Sequence, residues 1–203
     1  YQLGLALLHL DREGARQALR QAQRASRAPW SARAGELLDA LLDSADDAYG
    51  AAQIGLKLLE MGELAPALRQ FERAVRLTPD YAEAHAYRGH VLAELGRPAS
   101  EAFRLALALD PDLVLGRYFL GRYHLRFGLA EPARREFLAA LALDPGNPAL
   151  CIDIALTHAE EGDYAAAEAW LEAAERAGPD AAIARARARF YVERAYRVEE
   201  RGL

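Results

Sequence analysis

An all-α solenoid of repeated helical hairpins is the fold class that three observations predict: a period of about 34 residues, apolar residues at helical spacing, and a glycine and a proline at fixed offsets in every period. Four consecutive stretches, 48–81, 82–113, 114–147 and 148–181, carry the same marks in the same order. Each has a small residue in its first half (Gly55, Gly89, Gly121, Ala155) and a mid-repeat glycine (Gly62, Gly96, Gly128, Gly162). An alanine follows (Ala67, Ala99, Ala133, Ala167), then a large apolar residue (Phe71, Phe103, Phe137, Leu171), a second alanine (Ala74, Ala106, Ala140, Ala174) and a closing proline (Pro79, Pro111, Pro145, Pro179).

Each slot has a physical task. Glycine inside a helical pattern costs about 1 kcal/mol against alanine, so its recurrence predicts close approach of two helices. The phenylalanines fill the space left by the small residues, and the prolines stop the second helix. This order of slots resembles the tetratricopeptide repeat family. The resemblance implies helix–turn–helix units stacked into a right-handed superhelix, with function on the inner surface.

Taken in chain order, residues 1–31 read as a divergent N-terminal repeat. Gln2-Leu3-Gly4-Leu5 echoes Gln53-Ile54-Gly55-Leu56, and Ala18-Leu19-Arg20-Gln21 echoes Ala67-Leu68-Arg69-Gln70, which makes the turn at 11–16 two residues longer than the others. Residues 32–47 hold a single inserted helix or a degenerate second helix. The amphipathic pattern (Trp30, Ala34, Leu37, Leu38, Leu41, Leu42) runs over 30–44 and predicts a kink or boundary, with 43–47 as an acidic helix start. Of the four clear hairpins, the one over 82–113 has the tightest turn, with Pro98 in it. Residues 182–203 read as a capping helix with an apolar stripe of Ala184, Ala188, Tyr191, Ala195 and Val198. Its arginines form either a solvated face or an anion patch.

With 203 residues, 52% of them apolar, the chain can bury a continuous core as one elongated domain, and its net charge of −5 argues against nucleic acid. No stretch is long and apolar enough for a membrane span, and no signal peptide is visible. The chain opens on Tyr1 inside a first-helix pattern, so upstream sequence is expected and a cytoplasmic location is only the default. Arginine is plentiful while lysine occurs once, at Lys57, a bias expected of a GC-rich bacterial genome.

No phosphate loop, nucleophile elbow or His-Glu-x-x-His pair occurs, so no catalytic residue, cofactor or metal is assigned and the chain is not expected to be an enzyme. Cys151, the lone cysteine, reads as a buried inert thiol. His124 and His158 occupy the slot held by Leu58 and Leu92, and read as packing residues.

Function is then expected of the inner surface, formed by the first helix of each hairpin. Its candidate partner-binding residues are Tyr49, Gln53, Tyr87, His90, Tyr118, Arg122, Arg126, Asp153 and Leu156. The resemblance extends to repeats that clamp an acidic chaperone terminus with lysine and asparagine. Here the corresponding slots hold Ala52 and Leu56, so that function is disfavoured. Tyrosine and arginine among small residues suit an extended or helical peptide with apolar anchors and one acidic group. Tyr87 and Tyr118 could instead pack between hairpins. Replacing Tyr118 by Ala together with Arg122 by Glu is expected to leave melting nearly unchanged. The expected function is a protein–protein interaction scaffold. The alternatives are the regulatory or targeting arm of a larger enzyme or sensor, and a self-assembly module forming a homo-oligomer.

Overall fold

The computed structural model describes residues 1–8, 11–25, 29–43, 47–177, 183–188 and 190–191. Its helices are α1 (Gln2–Leu7), α2 (Arg12–Arg24), α3 (Trp30–Asp43), α4 (Ala48–Glu60), α5 (Leu64–Leu77), α6 (Ala82–Glu94), α7 (Ser100–Leu109), α8 (Val114–Arg126), α9 (Ala130–Leu143), α10 (Pro148–Glu161) and α11 (Tyr164–Ala177). There is no strand among the described residues. The chain divides into two units, Tyr1–Asp110 and Pro111–Leu203.

The mid-repeat glycines set where each first helix stops. Gly62 has φ +76°, and Gly96, Gly128 and Gly162 are likewise left-handed, a conformation that a Cβ disfavours. At Gly62 the amide donates to Leu59 O at 3.0 Å and the Glu63 amide to Leu58 O at 2.8 Å, which satisfies carbonyls that the helix end leaves open. The same backward bond runs from Arg97 to Leu92 O, Leu129 to His124 O, and Asp163 to His158 O. Pro98 does not disturb this turn, but α7 is only 10 residues long.

Small and large residues then interlock within each hairpin. A Cβ on Gly55 would stand 2.9 Å from Phe71 Cζ, and one on Gly89 would stand 2.7 Å from Phe103 Cε1. Gly121 meets Phe137 in the same way. All three phenylalanines are fully buried. Where α10 has Ala155 in place of glycine, the facing residue is Leu171, so a larger partner on one side is matched by a smaller one on the other.

The closing prolines offer a carbonyl that the next helix caps. His85 Nε2 donates to Pro79 O at 2.9 Å, and at the equivalent slot Arg117 donates to Pro111 O from Nε at 3.1 Å and Nη2 at 2.7 Å. In α10 that slot holds Cys151, which is buried.

The N-terminal hairpin keeps the interlock in a different register from the one read in the sequence. Gly4 faces Leu19, with a Cβ distance of 2.7 Å to Leu19 Cδ2. Leu19 therefore stands in the Phe71 slot, and fully buried Ala15, not Ala18, stands in the Ala67 slot. Gly4 to Ala15 is one residue shorter than Gly55 to Ala67, so the spacing between the interlocking residues is not lengthened.

α3 packs against both α2 and α4. Arg12 Nη2 donates to Leu41 O at 2.6 Å, and Arg16 Nη2 donates to the same carbonyl at 3.4 Å, so the start of α2 lies at the end of α3. At the other end of α3, Trp30 packs on Tyr1 with ring centroids 5.4 Å apart, and Arg33 pairs with Glu63 at 3.6 Å. Tyr1 donates to the same Glu63 oxygen at 3.1 Å, and burial beside that carboxylate pushes its phenol up to about 12. α3 and α4 are thus antiparallel, and α4 runs opposite to α1. The expected acidic start of α4 is Asp47, which accepts from Gly50 N at 2.7 Å; residues 44–46 lie outside the described residues.

In the second unit Ile183 and Phe190 are buried, with Ala186 packed beside Phe190 on the α10–α11 hairpin. The expected stripe is corrected here: Ala184, Ala188 and Tyr191 are exposed, because the larger apolar residues take the buried side. Ala195 and Val198 lie outside the described residues.

Candidate partner-binding faces

The first helices of the hairpins carry every candidate. Tyr49 and Gln53 lie on α4 and Tyr87 and His90 on α6, in the first unit. Tyr118, Arg122 and Arg126 lie on α8 and Asp153 and Leu156 on α10, in the second. Tyr49 and Arg126 are exposed, Gln53, Tyr87, His90, Tyr118 and Leu156 are half-buried, and Asp153 is buried.

In the second unit three candidates meet. Asp153 is only 4% exposed, and its Oδ1 lies 3.5 Å from Arg122 Nη1, whose side chain is 56% exposed. The Tyr118 side chain interacts with both groups. Burial pushes the Asp153 carboxyl above its ordinary range, and Arg122 and the Tyr118 hydroxyl offset part of that. A buried carboxylate therefore holds one side of a guanidinium whose remaining donors stay accessible, a geometry suited to a second acceptor.

This arrangement overturns the expectation that the Tyr118→Ala, Arg122→Glu pair is neutral to folding. Tyr118 packs on Phe137 at 6.2 Å between ring centroids and belongs to the cluster around Leu150 and Ile154. Arg122→Glu would set a second carboxylate against buried Asp153. Both changes reach the core.

In the first unit Tyr87 stacks on Phe71 of the preceding hairpin, with centroids 5.3 Å apart and planes at 10°. Tyr87 and Tyr118 thus both pack on core phenylalanines while remaining half-buried. Tyr81, the N-cap of α6, joins this face and was not among the candidates, because it reads as the last residue of a repeat. Burial raises its phenol, and the negative charge of Glu83 adds to this. An aromatic at an N-cap slot with Glu83 two residues on is the signal that could have found it.

Cys151 is free and buried, and burial raises its thiol, which disfavours the reactive thiolate. His124 is half-buried and burial lowers its pKa. Among the described residues no group of three or more His, Cys, Asp or Glu could hold a metal ion, and no helix is long and apolar enough to cross a membrane.

Two family models match the chain: one described as TPR repeat over residues 55–96, the other as tetratricopeptide repeat over 133–190. Among solved structures, the chain is similar to MamA (18% identity, TM-score 0.59, 82% of this chain and 88% of that one). It is also similar to a MamA chain from Desulfovibrio magneticus RS-1 that starts at residue 41 (18% identity, TM-score 0.58, 87% and 91%). A chain of the APC/C hetero-tetramer Cut9–Hcn1 is 20% identical with a TM-score of 0.61, over 85% of this chain and 31% of that one. No curated protein sequence matches the chain. At these identities the likeness shows the fold, an all-α solenoid of helical hairpins.

Proposed function

Because the chain belongs to the tetratricopeptide repeat family, we propose that it is a protein-interaction scaffold whose first helices hold a segment of a partner protein. The observation that carries this reading is the Tyr118–Arg122–Asp153 cluster, in which an exposed arginine is oriented by a buried carboxylate. A guanidinium fixed in this way loses little side-chain freedom on binding, and tyrosine and arginine are the residue types that dominate interface energetics. A further support is the similar chain in the Cut9–Hcn1 hetero-tetramer, where the fold serves an assembly of different proteins. No catalytic role is assigned to any residue.

The test is affinity capture from a bacterial lysate with the full chain and with its Arg122→Gln, Asp153→Asn variant. Removing both charges together leaves no uncompensated buried carboxylate, so the fold is preserved. Proteins retained by the parent are expected to fall about tenfold in the variant, at equal helicity and melting temperature. Retention indifferent to the substitutions would contradict the assignment.

A further inference from the structure

Arg122 stands on a helix that carries no carboxylate. α8 holds Arg117, Arg122 and Arg126 and neither aspartate nor glutamate, in a chain whose net charge is −5. Arg117 is used within the fold, where it donates to Pro111 O and pairs with Glu136 at 3.3 Å. Arg122 differs, because its side chain is 56% exposed while that of Asp153 beside it is only 5% exposed. Their contact joins Nη1 to Oδ1 at 3.5 Å, and a guanidinium has further N–H donors pointing in other directions. A carboxylate sealed beneath an exposed cation cannot itself reach a partner, so the charge presented to solvent by this pair is the positive one. Leu156 lies three residues beyond Asp153 on the same face of α10 and is half-buried, which sets apolar surface next to the cation.

We propose that Arg122 receives the carboxylate of an aspartate or glutamate side chain in the partner segment, with an apolar residue next to that acid covering Leu156. The guanidinium is held from below by Asp153, and Tyr118 at its side is fixed by packing on Phe137. A charge-assisted bond to an arginine held in this way needs little further ordering of the side chain. A purely apolar segment would cover the guanidinium donors without pairing them, and a basic one would meet like charge. The inference deepens the scaffold reading and rests on it.

The test pans a phage-displayed library of random dodecapeptides against the immobilised full chain. Enriched peptides are then made with both ends capped, so that only side chains carry carboxylates, and measured by fluorescence anisotropy. Enriched sequences are expected to pair an acid with an apolar neighbour. Exchanging the acid for its amide should weaken binding to the parent about tenfold, but less than about twofold in Arg122→Gln, because the exchange then removes a group with no partner. The same comparison in Arg122→Gln, Asp153→Asn, where no buried carboxylate is left alone, should give the same loss of coupling. Leu156→Ala should weaken binding about threefold and remove the preference for the apolar neighbour. An acid whose exchange costs as much in both arginine variants as in the parent binds elsewhere and overturns the proposal. Peptides without an acid that still lose affinity in the double variant overturn it while leaving the scaffold reading intact. An absence of enrichment contradicts both.

Discussion

Asp153 shows how much a single buried charge decides. Burial raises its folded pKa above the ordinary 3.8, with Arg122 as the main opposing influence. The folded state therefore holds this proton more tightly than the unfolded chain does. The group's contribution to stability is complete below its unfolded pKa and is lost as pH rises through the folded one. A carbon-detected NMR titration should place the Asp153 midpoint above 3.8, and Arg122→Gln should move it higher still. The same substitution should cost about 1 kcal/mol of stability near neutral pH, a modest figure because Arg122 is largely exposed. An unmoved midpoint in Arg122→Gln would mean that the pair does not form in solution. Asp153 was legible as an inner position by its helical spacing. Its burial was not, because that depends on Tyr118 and Arg122 closing over it from the neighbouring helix.

At the scale of elements, the interlock of small and large residues organises each hairpin. Ala155 facing Leu171 is the informative exception, because it predicts a coupling. Leu171→Phe alone should overpack the α10–α11 hairpin and cost about 1–3 kcal/mol. Adding Ala155→Gly should recover most of that loss, less about 1 kcal/mol for the poorer helix former. Urea midpoints for the two single variants and the double would give the coupling, and strict additivity would show that the two residues do not share space. These slots were readable in the sequence because constant spacing marks them. The N-terminal hairpin was misread by three residues because its Ala18-Leu19-Arg20-Gln21 string matches a later repeat by identity, whereas packing follows the spacing of Ala15 and Leu19 behind Gly4. The capping stripe failed for a related reason. Alanine is so common in this chain that Ala184 and Ala188 form a pattern by composition, while Ile183 and Phe190 bury more surface.

For the whole molecule, the repeat pattern supports a protein-interaction scaffold, and we propose that exposed Arg122 on its buried aspartate contributes to its selectivity. The first unit carries Tyr87 stacked on Phe71, and the second holds an arginine on a buried aspartate. Neither face depends on a reactive group, and the lone thiol is buried. The most direct measurement is photo-crosslinking of a captured partner to the full chain carrying a benzophenone amino acid at one exposed site at a time. The sites are Tyr49 on α4 and Arg126 on α8, against Arg76 on α5 and Arg104 on α7. Adducts from Tyr49 or Arg126, with none from Arg76 and Arg104, are the predicted result. Adducts concentrated at Arg76 or Arg104 would place the partner on the second helices and contradict the account.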